Sequence, residues 1–127
     1  MAISIALVLN SCGNRATKAQ QASQTPSEVA VSFFESFSTL DFERLEALIY
    51  APEDEDDAEF FAELRDMINN AFSQGFDPIV STEIIREEIS NCGTRATIHA
   101  VLTHTSGFNQ TDILYLIKTN EQWKVEF

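Results

Sequence analysis

The chain has 127 residues, too few for two ordinary domains but enough for one with a substantial core, and 44% of them are hydrophobic. Eight basic against twenty acidic side chains give a net charge of −12, which opposes phosphate backbones and anionic lipid surfaces, so nucleic acid is not an expected partner. No apolar run approaches the roughly 20 residues that a membrane-crossing helix needs.

From Met1 to Ser11 the chain is uncharged, and its apolar run Ala2 to Leu9 is broken only by Ser4. That is the length of a secretory h-region, roughly 7 to 15 residues. Leu9-Asn10-Ser11-Cys12 resembles a bacterial lipobox, with an aliphatic residue three before the cysteine and a small one directly before it. The resemblance implies a signal peptide over residues 1–11 and lipid on the Cys12 thiol, with more than one acyl chain for stable anchoring. It departs from the pattern in two ways: no Lys or Arg precedes the run, and Asn10 is bulkier than usual. The competing account is a buried strand or helix in which Cys12 is an ordinary small hydrophobe.

Residues 12–25 continue as polar and small side chains without an apolar period. Such a segment cannot bury enough surface to offset its ordering entropy, and it reads as a flexible tether. A lipid on Cys12 would put the domain outside the cytoplasm, in the bacterial cell envelope.

The folded domain is expected over residues 26–127. Thr25-Pro26-Ser27-Glu28 carries a capping box and a proline at the first helical position. Val29, Phe33, Phe37 and Leu40 follow at helical spacing, giving a first helix to about Thr39. Asp41 can cap a short second helix with Phe42, Leu45, Leu48 and Ile49 inward, ended by Ala51-Pro52. A third is expected from about Glu53 to Ser73 and stops at Gly75 and Asp77-Pro78. Its acidic opening, Glu53 to Glu59, lacks the ligand spacing and central glycine of a calcium loop and suits a helix N-terminus.

After Pro78 the period changes to alternation. Ile79–Ser90, Thr94–Thr105, Gln110–Thr119 and Gln122–Phe127 read as four strands joined by short turns, hence sequential and antiparallel. Three helices followed by such a meander predict an α+β fold in which a curved four-stranded antiparallel sheet packs on the helices. Thr94-Arg95-Ala96-Thr97-Ile98, Ile113-Leu114-Tyr115-Leu116-Ile117-Lys118 and the closing Gln122-Trp123-Lys124-Val125 resemble the C-terminal half of the nuclear transport factor 2-like (NTF2-like) superfamily. More narrowly, the chain is similar to small bacterial lipoproteins of that superfamily whose domain has no assigned function. The resemblance implies a cone with a pocket between sheet and helices, which in a few members is an active site using Asp, His or Tyr and in many only binds.

The pocket candidates are His104, Tyr115 and Trp123. With the second hairpin turning on Ser106 to Asn109, Ala100, Leu102 and His104 share the inner face with Ile113, Tyr115 and Ile117. The same register sends Asp112 outward with Thr103 and His99, so an acid–base pair within reach of one site is not expected. The plainer readings are a polar strand end for His104 and core packing for Tyr115 and Trp123. No Gly-rich phosphate loop or nucleophile elbow occurs, so no cofactor is expected. Cys92, His99 and His104 do not converge as zinc ligands would.

Cys12 and Cys92 each open a Cys-Gly-x-Arg-Ala-Thr stretch, in unrelated flanking contexts, so these are not repeat units. Lipid on Cys12 leaves Cys92 a lone thiol in a turn; a Cys12–Cys92 disulfide is the competing account. For function, the leading reading is a membrane-tethered, non-catalytic module that binds either a small apolar ligand or another envelope protein. The alternatives are a small pocket enzyme of isomerase or hydrolase type using His104 and Tyr115, and a purely structural or immunity-type envelope protein.

Overall fold

The computed structural model describes residues 24–127. The expected signal peptide, Cys12 and the expected tether up to residue 23 lie outside the described residues.

Helix α1, Pro26–Thr39, starts where its cap dictates. The Glu28 N–H donates to Thr25 Oγ1 at 3.1 Å and the Thr25 N–H donates to Glu28 Oε1 at 2.9 Å, which closes the expected capping box. The helix stops at Leu40, in the left-handed region at φ 56°, where the Asp41 N–H returns to the Ser36 carbonyl at 2.9 Å. Asp41 then caps α2, Phe42–Ala47, which buries Leu45. Helix α3, Asp57–Ser73, begins four residues later than expected. The Asp56 carboxylate accepts from the Ala58 N–H at 2.9 Å and takes the cap, while the stretch before it turns on a Glu55 N–H to Pro52 carbonyl bond. Any carboxylate of that acidic run could have capped, and the apolar period begins only at Phe60.

Strands β1, Ile79–Ile89, β2, Arg95–His104, β3, Asn109–Thr119, and β4, Gln122–Glu126, pair antiparallel in chain order, as expected of a meander. The β3–β4 turn is a two-residue one with positive φ at both Asn120 and Glu121, the geometry whose twist matches the flanking strands. Strand β1 is an edge with two register irregularities, which blunt it against pairing with other chains. At the opposite edge, Ile49 bridges in parallel to Val125, and Tyr50 N–H to Val125 carbonyl and Val125 N–H to Leu48 carbonyl bonds cover β4.

The second hairpin differs from the expected one. It turns on three residues, Thr105-Ser106-Gly107, with Gly107 at φ 93° and the His104 N–H bonded to the Phe108 carbonyl at 2.9 Å. His99 therefore pairs with Ile113, Ala100 with Asp112, and Leu102 with Gln110. Because side chains alternate, this change of parity turns every β3 side chain to the other face. Leu114 and Leu116 point inward, Ile113 and Tyr115 outward, and Asp112 inward.

The core lies between α1 and the inner sheet face. Ala96, Ile98, Ala100 and Leu102 of β2 meet Leu114, Leu116 and Val125, against Val29, Ala30, Phe33 and Phe34 of α1. Each large aliphatic or aromatic side chain buried there contributes about 1.5–3 kcal/mol before entropy is counted. Helix α3 supplies Leu64 and Ile68 to the same core, but leaves Met67 exposed toward an opening in the layer.

Candidate functional site: an apolar cavity with one polar end

The opening is a cavity of about 370 Å³ between α1, α3 and the inner face of β2 and β3, within the size range of ligand sites. Its walls are apolar and strongly aromatic: Phe33, Phe34 and Phe37 from α1, Leu64 and Ile68 from α3, and Phe76 from the loop before β1. Phe33 stacks on Phe37 at 6.4 Å between ring centroids, and Phe37 meets Phe76 edge-on at 5.1 Å. The helical spacing that predicts α1 packs these rings on one side of it. Among the described residues the polar lining is His104, Gln110 and Asp112, from adjoining positions of β2 and β3.

His104 is 5% exposed. Its ring lies edge-on to Phe76 at 5.9 Å and tilted against Phe108 at 5.8 Å. Nδ1 faces the Asp77 carbonyl at 2.6 Å and Nε2 faces Gln110 Oε1 at 2.9 Å. Nδ1 must therefore donate. Nε2 donates to Oε1 when the ring is charged, and can accept from the Gln110 NH₂ when it is neutral, by a turn of the amide. The bond to the Asp77 carbonyl holds the imidazole pKa above its ordinary value, with help from Gln110 and the nearby Asp77 carboxylate and against the cost of burial. The hairpin tip that carries His104 is fixed in turn: Ser106 donates from Oγ to Asp77 Oδ2 at 2.5 Å, and the Thr105 N–H donates to the Pro78 carbonyl at 2.9 Å.

Of the expected pocket residues, only His104 lines this cavity. Tyr115 is 56% exposed on the outer sheet face, paired with Thr97, so a His104–Tyr115 site is corrected by the hairpin register. Trp123 is 8% exposed and packed in the core beneath Lys118, whose Nζ lies 5.6 Å from the ring centroid. Core packing, the plainer of its two readings, is its role. Asp112, expected outside, lines the cavity, and Gln110 joins it without having been singled out in the sequence. The missed signal was Gly107 at the third position of the turn. His99 does lie outward, as expected, but opposite Ile113 rather than on the side of Asp112, with Nε2 at 3.4 Å from Arg86 Nη2. Cys92 is exposed in the β1–β2 turn. No group of three or more potential metal ligands occurs among the described residues.

The arrangement can desolvate an apolar body and offer it one carboxylate and one amide. It supplies no obvious general base in His104, because both ring nitrogens are already engaged.

No protein-family model matches the chain, and no curated protein does. Solved structures do. A provisionally assigned NTF2-like transpeptidase from Campylobacter jejuni superposes with a TM-score of 0.66 at 17% identity, over 82% of this chain and 99% of that one. A SEC-C motif containing protein from Rhodopseudomonas palustris gives a TM-score of 0.59 at 15% identity, over 86% of this chain and 81% of that one. At such identities the likeness shows the fold, which is NTF2-like and α+β as expected, and assigns no activity.

Proposed function

We propose that the domain is a non-catalytic binding module that takes a small apolar or amphipathic ligand into this cavity, and that lipid on Cys12 holds it at a membrane of the bacterial envelope. The cavity carries the first half of the reading: about 370 Å³ lined by phenylalanine and aliphatic side chains, with three polar groups gathered at one end. Such a shape rewards removal of apolar ligand surface from water and fixes orientation with few polar contacts. The lipobox-like Leu9-Asn10-Ser11-Cys12 and the polar stretch behind it support the second half.

A small isomerase or hydrolase is the alternative, and Asp112 is the observation in its favour, since it could act as a base inside the cavity. His104 could not join it without giving up a hydrogen bond. Extraction of the purified full chain followed by mass spectrometry tests the binding reading. A co-purifying apolar species is expected, and Ala71→Trp, which fills the cavity from α3, should remove it. An extract that is empty, or unchanged by Ala71→Trp, overturns the reading. For the tether, a lipidated peptide beginning at Cys12 is expected, and an unmodified peptide beginning at Met1 would overturn that half.

A further inference from the structure

Resting on the binding reading, we infer that the ligand is an amphipathic amine, its ammonium at Asp112 and its apolar body among the phenylalanine rings. The polar groups at that end of the cavity do not have equal freedom. His104 uses both nitrogens, one on the Asp77 carbonyl and one on Gln110. Asp112 is half-buried, and its hydrogen bond is from its neighbour's backbone, the Ile113 N–H to Oδ1 at 2.9 Å. Across the ladder stands Ala100, whose methyl group offers the carboxylate nothing.

Among the described residues, no lysine or arginine lines the cavity. A carboxylate partly withdrawn from water, without a cation beside it, favours a ligand that brings one. The Asp77 carboxylate, held by Ser106 behind His104, offsets the imidazole charge when the ring is protonated, so the polar end is not made cationic.

Two further features point the same way. The ring series Phe33, Phe37, Phe76 leads to His104 with successive centroid separations of 6.4, 5.1 and 5.9 Å, so aromatic surface flanks the approach to the polar end. Aromatic faces attract ammonium groups. The net charge of −12 raises the local concentration of cations and lowers that of anions around the whole domain. A fatty-acid-like anion would meet like charge at Asp112, and a neutral alcohol could donate one hydrogen bond there but would bring no opposite charge.

Titration calorimetry of the full chain with three eight-carbon probes separates these cases: octylamine, 1-octanol and octanoate, at about pH 7 and low salt. Octylamine is expected to bind about tenfold tighter than octanol, the gain of one charge-assisted contact at a half-exposed site, and octanoate weakest. Asp112→Asn should bring octylamine down to the affinity of octanol. Octanol or octanoate binding the wild type as tightly as octylamine would overturn the amine assignment and leave the cavity reading standing, as would a preference that survives Asp112→Asn. If none of the three binds, the cavity reading itself fails and the assignment falls with it.

Discussion

His104→Phe isolates the buried ionisable side chain among the described residues that line the cavity. Phenylalanine keeps an aromatic ring between Phe76 and Phe108 and removes both nitrogens, leaving the Asp77 carbonyl without its partner. The wild-type imidazole has its pKa raised by the fold, chiefly by that carbonyl. A group of this kind adds stability that is fully present below its unfolded value, about 6.5, and is lost as the pH rises through the folded value. At about pH 5.5 the ring carries its charge, and its two hydrogen bonds are charge-assisted, worth about 1.5–3 kcal/mol each; once the pH has risen past the folded value they are neutral and worth about 0.5–1.5 kcal/mol each.

The variant should therefore be less stable than wild type by about 3–6 kcal/mol at pH 5.5 and by about 1–3 kcal/mol on the alkaline side of the folded value. Urea unfolding followed through the single tryptophan, Trp123, reads both values, since that side chain is buried and becomes exposed. His99 and the carboxylates other than Asp77 are common to both proteins and cancel in the difference; the attraction of the Asp77 carboxylate for the charged ring is part of what the variant removes. A gap that is equal at the two pH values, or wider at the higher one, would refute the assignment of the raised pKa to these bonds.

Three further outcomes test the fold. Leu116→Ala should cost about 2–5 kcal/mol and Tyr115→Ala about 1 kcal/mol or less in the same urea assay, because the former is 1% and the latter 56% exposed; the opposite order would restore the four-residue hairpin. Gly107→Ala should destabilise by about 1 kcal/mol through its φ of 93° alone, since an added Cβ there meets nothing within 4 Å; a larger loss would mean a clash the geometry does not contain. Thr25→Ala should cost about 1 kcal/mol by opening the α1 capping box, and its thermal midpoint should fall by several degrees.

The architecture was legible because each level of the sequence agreed with the next. Thr25 to Glu28 closes a box that any chain with those side chains would close, and the Phe33 and Phe37 spacing leaves one wet side on α1. In β2 the alternation is unambiguous: Ala96, Ile98, Ala100 and Leu102 are buried, whereas the residues between them are less so. The start of α3 was less legible because several carboxylates compete for one cap. Only the backbone at Asp56 shows which of them reaches a free N–H.

The site was harder to read for a reason confined to one strand. From Ile113 to Ile117 every residue of β3 is apolar or aromatic, so both faces present a plausible inner set, and the face with Ile113, Tyr115 and Ile117 has more apolar residues than the one with Leu114 and Leu116. Periodicity cannot choose between them; the length of the preceding turn does. A loop of three residues pairs His104 with Phe108, and a loop of four would pair Thr105 with Gln110, which reverses every side chain of β3. Gly107 favours three, because a glycine in the left-handed region closes a three-residue hairpin with a bulge. That single residue of turn length decides the chemistry of the cavity, exchanging a tyrosine hydroxyl for the Asp112 carboxylate. It also explains why His104, on the unambiguous strand, was placed inward while its neighbours in the site were not.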